Sequence, residues 1–235
     1  MALTSQQIVA QACYMAGVPG YLSQAGQQLN VILSELCQTY SLDVARGVTT
    51  LQLNLGQTQY ALPADYLRAD YGDVFFTLNS VTYPLTSIDL SEYDKLSPQL
   101  YTSSYPQVYA TDMSVQNTTP QIYVWPLSSS AIVLTIRYRR QMPDIATPES
   151  SNIVPWFPHT NYLVTRLAGE MMKIADDSRS TEFLGEGSSG AQGILDRYLK
   201  LKDDSSTRSI NLKLDQRSFG SGNYSKLPNT KYSGW

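Results

Sequence analysis

The residues able to do covalent or proton chemistry are few, and their spacing argues against a catalytic site. His159 is the only histidine of the 235-residue chain, so neither a two-His metal site nor a nucleophile–base–orienter triad with a spare base can be assembled. It follows Trp156-Phe157-Pro158 where a helical pattern begins, a place for a packed or capping imidazole. Cys13 and Cys37 fall on apolar helical faces and match no zinc or redox spacing, which reads as two buried thiols. The acidic groupings are Asp65, Asp70 and Asp73, and the pair Asp176-Asp177. Glycoside hydrolysis needs two carboxylates facing one another across a cleft, whereas these sit at turns and helix ends, where solvation accounts for them. The glycines from Gly185 to Gly190 have neither the preceding strand nor the lysine that would make them a phosphate loop. No enzyme, cofactor or metal site is expected.

Arg137, Arg139 and Arg140 form a basic cluster that could be read as a nucleic-acid patch. The charge distribution argues otherwise. Residues 1–204 hold 12 basic and 19 acidic side chains, a net −7, while residues 205–235 hold 5 and 1, a net +4. Affinity for DNA rests on neutralising phosphates, which an acidic body cannot do. The three arginines read instead as ion-pair contacts with a neighbouring protein, and the basic tail as a segment lying on an acidic protein surface.

Charged residues make up 16% of the chain against the usual quarter, the difference being Ser, Thr, Gln, Asn and 17 tyrosines. Uncharged polar groups and tyrosines bury at lower desolvation cost than ions, which suits surfaces covered by other protein. The first 34 residues carry no charged side chain at all before Glu35. No run approaches the ~18 apolar residues of a membrane span, and no basic segment with an apolar core opens the chain, so neither a span nor a secretory signal is expected.

The elements that must position these residues change period along the chain. Thr4 and Gln7 form a capping-box pattern opening a helix with Ile8, Val9, Ala12, Cys13 and Ala16 on one face, closed by Gly17-Val18-Pro19-Gly20. A second helix over roughly 24–40 places Leu29, Ile32, Leu33, Leu36, Cys37 and Tyr40 at three-and-four spacing. From Val48 the period becomes two. Leu51, Leu53 and Leu55 alternate with polar residues, 74–78 and 81–85 read as a hairpin about Asn79-Ser80, and 91–96 as one helical turn. Further strands are expected at 107–111, 121–126 and 131–140, the last two joined by residues 127–130. On the last strand Ile132, Leu134, Ile136 and Tyr138 face one way and Arg137 and Arg139 the other. Pro155 and Pro158 open a third helix, whose apolar face is Leu163, Val164, Leu167, Ala168, Met171, Ile174 and Ala175. A polar break follows, then a fourth helix with Ile194, Leu195, Tyr198 and Leu199 on one side.

Two terminal pairs of one-faced helices imply an α+β fold. It comprises a four-helix bundle from an N-terminal pair (1–45) and a C-terminal pair (146–204), an inserted antiparallel β-domain (46–145), and an extended C-terminal arm (205–235). The arm is too polar to build a core of its own, and its spaced Phe219, Tyr224, Tyr232 and Trp235 read as anchors for an extended segment bound elsewhere.

Over about residues 3–203 the ordered set resembles the head-to-tail adaptor (connector) proteins of short-tailed bacteriophages, including the tail tubular protein A type. The resemblance is carried by Tyr60-Ala61-Leu62-Pro63-Ala64-Asp65-Tyr66-Leu67-Arg68, by Pro120-Gln121-Ile122-Tyr123-Val124-Trp125-Pro126 leading into Ile132–Arg140 and Met142-Pro143, and by Val154-Pro155 opening the helix pair. It implies a virion protein at the head–tail junction, made in the host cytoplasm. Such proteins commonly form a twelve-subunit ring beneath the portal protein, dock the tail or nozzle protein, and extend a channel through which genomic DNA passes without specific binding. On that reading Phe219, Tyr224, Tyr232 and Trp235 are subunit or portal contacts, and Arg137, Arg139 and Arg140 inter-subunit or nozzle contacts. The alternative is a β-rich carbohydrate-binding module of a phage tail or lectin-like protein, with Tyr101, Tyr105, Tyr109, Tyr123 and Trp125 as the stacking surface.

Overall fold

The computed structural model describes residues 2–70, 72–96, 101–114 and 119–201. The arm, with Phe219, Tyr224, Tyr232 and Trp235, lies outside the described residues. Contacts divide the chain into two units, one of residues 1–6 and 26–158, the other of residues 7–25 with 159 onward. The division runs through the second helix.

The first unit contains most of α2 (Leu22–Thr39) and eleven strands: β1 (Arg46–Leu53), β2 (Gln59–Ala61), β3 (Tyr66–Arg68), β4 (Val74–Leu78), β5 (Val81–Pro84), β6 (Thr86–Ser87), β7 (Thr102–Ser103), β8 (Val108–Asp112), β9 (Gln121–Trp125), β10 (Leu127–Ser128) and β11 (Ile132–Arg140), with a short helix α3 (Leu90–Tyr93) after β6. The larger sheet runs β1-β11-β4-β5, with β3 also on β11, and the second runs β2-β9-β8-β6. Antiparallel pairing dominates, but the β6–β8 and β10–β7 pairs are parallel. Residues 127–130 are therefore more than the expected link, since Leu127 and Ser128 pair with β7. β9 and β11, separated in sequence only by the two-residue β10, lie in different sheets.

The period-two strands close one core. Ile132, Leu134, Ile136 and Tyr138 of β11 are buried with Leu53, Tyr60, Leu62, Tyr66, Val74, Phe76, Tyr109, Ile122 and Val124. The β4–β5 hairpin turns at Asn79 and Ser80, with φ of 48° and 67°, the left-handed pair that matches the twist of a two-residue hairpin. β1 is paired with β11 along its whole length, from Arg46 opposite Arg139 to Leu53 opposite Ile132. Leu55, expected on the core face of that strand, falls beyond its end and is 71% exposed.

The second unit contains α1 (Ser5–Ala16) from Gln7 onward, the first turn of α2, α4 (Thr160–Ile174), α5 (Ser180–Leu184) and a last helix α6 over 191–201. α1 ends as its sequence dictates. Gly17 takes φ of 72°, its N–H reaches the Tyr14 carbonyl at 3.1 Å, and the Val18 N–H reaches that of Cys13 at 3.0 Å, the paired bonds of a glycine-terminated helix. α4 is buried more widely than one stripe. Tyr162, Thr165, Gly169 and Met172 join the expected face, whereas Ile174 and Ala175 are exposed at the helix end. Part of that burial comes from α5, which forms between the end of α4 and the polar, Gly-rich break of 185–190 and lies against Gly169. A Cβ on Gly169 would meet Leu184 Cδ2 at 2.6 Å, so glycine permits the close approach.

Candidate functional site

The groups that could do chemistry are spent on structure. His159 Nδ1 accepts the Tyr162 backbone N–H at 3.2 Å, capping α4, and its ring lies edge-on to Tyr198 with centroids 5.9 Å apart. Cys13 and Cys37 are free and buried, and burial raises the pKa of both thiols. The three loop aspartates each hold a different partner: Asp65 Oδ1 accepts the Tyr138 hydroxyl at 3.0 Å, Asp70 pairs with Arg139 at 3.2 Å, and Asp73 with Arg46 at 3.2 Å. Asp177 is lowered below the usual carboxylate range by hydrogen bonds from Arg179, two residues on. Among the described residues no three His, Cys, Asp or Glu side chains gather as metal ligands.

The arginine cluster divides by partner rather than by strand parity, since Arg137 and Arg139 share a face of β11. Arg139 is held inside its own chain, its side chain 12% exposed, bonded to Asp70 and donating to the Leu42 carbonyl at 2.8 Å. Arg137, on the outer face, is exposed and stands over the Phe75 ring at 4.8 Å. Arg140 lines an open groove and buries an Nε that finds no hydrogen-bond partner. The three do not form one patch.

That groove, about 890 Å³, runs between Asn30, Val31 and Ser34 of α2, the Ala64-Asp65 turn, and residues 140–144. Its walls are tied by polar side chains. Asn30 donates to the Ile145 carbonyl at 3.0 Å and accepts the Ile145 N–H at 3.1 Å, while Gln141 donates to Ser34 Oγ at 3.1 Å and, from its backbone, to the Asp65 carbonyl at 2.7 Å. Val31 remains 56% exposed on the helix face. A one-residue amide that satisfies another residue's N–H and C=O fixes the strand exit as a ladder rung would.

The five aromatics of the carbohydrate reading do not all share one face. Tyr109 is 4% exposed and belongs to the core, Tyr123 tilts on Tyr93 at 5.3 Å, and Trp125 packs on Tyr101 at 6.0 Å. Of the five, Tyr101 and Tyr105 are exposed. β-strand alternation separates the rest, since Tyr109 faces the core alongside Val124 while Tyr123 and Trp125 point the other way.

The feature that residue-by-residue reading missed is the outer edge of β1. It is the long terminal strand of the larger sheet, and among the described residues nothing pairs with its far side. Its solvent-face Val48 is 63% exposed, and Val133 on the adjoining β11 is 50% exposed. The composition of 47–53 could have signalled it, because those residues contain neither charge nor proline, the usual protections of an edge.

No curated protein matches the chain. The family model of the SU10 adaptor protein matches residues 9–212, from within α1 to beyond α6. With a match of that extent, the chain belongs to the SU10 adaptor protein family and so to the structural adaptors of bacteriophages.

Proposed function

We propose that the protein is a head-to-tail adaptor of a short-tailed phage, of the tail tubular protein A type, assembling as a ring of about twelve copies between the portal and the tail or nozzle. The observation that carries this reading is the family match over residues 9–212. Composition supports it. The charge-free opening 34 residues suit burial against other protein, and a body of net −7 offers passing DNA no phosphate neutralisation, so the duplex slides without sticking. Arg137 and the exposed edge of Arg140 serve as contacts with neighbours, and the arm residues Phe219, Tyr224, Tyr232 and Trp235 anchor it to an adjacent subunit or the portal.

The test is native mass by light scattering, alone and with a portal ring. A ring-sized species, or monomers joining the portal in fixed stoichiometry, is expected; monomers that ignore the portal would overturn the proposal. Deleting residues 205–235 should leave the helical circular dichroism nearly unchanged and weaken assembly. Unchanged assembly after that deletion would remove the arm from the mechanism.

A further inference from the structure

We propose that the open edge of β1 is completed in the assembly by residues 209–215 of a neighbouring copy, added as one further strand. The inference rests on the assembly reading above and gives it a specific contact.

Three observations carry it. The first is that β1 is an unprotected edge. Of the other sheet termini among the described residues, β5 has four residues and ends in Pro84, which cannot donate to a ladder, β2 has three, and β6, β7 and β10 have two each. β1 has eight, and from Gly47 to Leu53 it carries neither a charge nor a proline. Long, flat, uncharged edges pair with other strands, and proteins that keep such an edge normally cover it.

The second is that the core is incomplete at this edge. On the inner face of β1, Gly47, Thr49 and Leu51 are only partly buried although Leu53 is fully so, and Leu51 packs against the buried cluster from outside it. A strand laid beside β1 would cover those positions if it brought apolar side chains on one face.

The third is that the sequence beyond the described residues contains a segment with that pattern. Ser209-Ile210-Asn211-Leu212-Lys213-Leu214-Asp215 alternates polar and apolar strictly, with Ile210, Leu212 and Leu214 on one face and Ser209, Asn211, Lys213 and Asp215 on the other. Seven residues reach about 23 Å as a strand, close to the span of β1. The pattern fits the edge on both faces: Ile210, Leu212 and Leu214 extend the core past Thr49 and Leu51, while Ser209, Asn211, Lys213 and Asp215 continue the solvent face of Val48, Thr50 and Gln52. Main-chain bonds give such an added strand its affinity and the alternate side chains its register. Strand addition from one copy to the next is a head-to-tail contact, and such contacts generate rings when the rotation closes.

The test uses two differently tagged full-length chains, co-expressed. One carries Thr50→Cys, the other a single cysteine at Ser209, Asn211, Lys213 or Asp215 in turn; Cys13 and Cys37 are buried and do not compete. Mild oxidation should give a disulfide-linked heterodimer for one or two adjacent positions of the four, and none when the first cysteine is moved to Thr82 on β5. In parallel, Leu212→Pro should leave circular dichroism unchanged and shift the native mass towards monomer, because proline removes a donor at the centre of the added strand. Rings of normal mass without a heterodimer at any position would overturn the strand proposal and leave the adaptor reading standing. A Thr50→Cys/Asn211→Cys chain that links only to itself would overturn the choice of a neighbouring copy. Monomers throughout, with no cross-link, would sink both.

Discussion

Substituting Gly47→Ala probes how tightly β1 is held against the core. Gly47 stands opposite Tyr138 on β11. A Cβ there would meet Tyr138 Cζ at 2.6 Å, Cε1 at 2.8 Å and the hydroxyl at 2.9 Å, all inside the distance real Cβ atoms keep. The ring has little freedom to move away. Tyr138 is 7% exposed, packs on Tyr66 with centroids 5.5 Å apart, and donates its hydroxyl to Asp65 at 3.0 Å. Overpacking of this kind costs about 1–3 kcal/mol, and alanine recovers roughly 0.5–1 kcal/mol relative to glycine within a strand. The net loss should be about 1–2 kcal/mol, or a fall in Tm of roughly 2–8 °C for a chain of this size. Urea unfolding followed by circular dichroism measures it. Repeating the substitution in a Tyr138→Leu background isolates the cause, since with the ring gone Gly47→Ala should be neutral or stabilising. An equal loss in both backgrounds would refute the steric argument and assign the cost to the strand itself.

Two further outcomes follow from the same unit. Asn30→Ala removes both bonds to the Ile145 backbone; a loss of about 1–2 kcal/mol is expected because water in the open groove replaces part of them, together with faster hydrogen exchange at the Ile145 amide, and unchanged exchange there would show that the strand exit is held by other contacts. Alkaline pH should unfold the β-rich unit earlier than a generic domain. Burial raises the pKa of Tyr66, Tyr109, Tyr60 and Tyr138 above the ordinary 10.0, with the Asp65 charge adding to the effect at Tyr138. A raised folded-state pKa contributes stability that is fully present below pH 10 and is lost as pH climbs through the folded value, at up to about 1.4 kcal/mol per pH unit for each group. A Tm that stays flat between pH 9.5 and 11.5, or a slope that Tyr66→Phe fails to reduce, would contradict this.

Local rules were legible where the determinant lies within a few residues. The Asn79-Ser80 turn, the alternation of Ile132–Tyr138 and the glycine stop at Gly17 are each written in their own neighbourhood. What escaped depends on partners far along the chain. Arg139 reads as a free outward charge until Asp70 and the Leu42 carbonyl, 69 and 97 residues away, are brought to it. Gly169 of α4 is buried because α5 folds onto it, and α5 itself is a five-residue helix, too short to show a period. Pairing order is equally silent in local pattern. That β9 and β11 part into separate sheets, and that β1 ends its sheet, are facts of topology, and only the absence of charge along 47–53 hints at the open edge.

The two thiols have a consequence for the life of the particle. Cys13 and Cys37 are each 1% exposed, and burial keeps them protonated to a higher pH than a free cysteine. The thiolate is the reactive form, so both are shielded twice, by access and by ionisation. While the fold stays closed, neither sulfur is within reach of an oxidant, so the covalent structure is the same in reducing and oxidising surroundings. The same shielding turns the thiols into a clock: an alkylating reagent supplied outside the cell would record each opening of the fold, and an undisturbed particle would stay unlabelled.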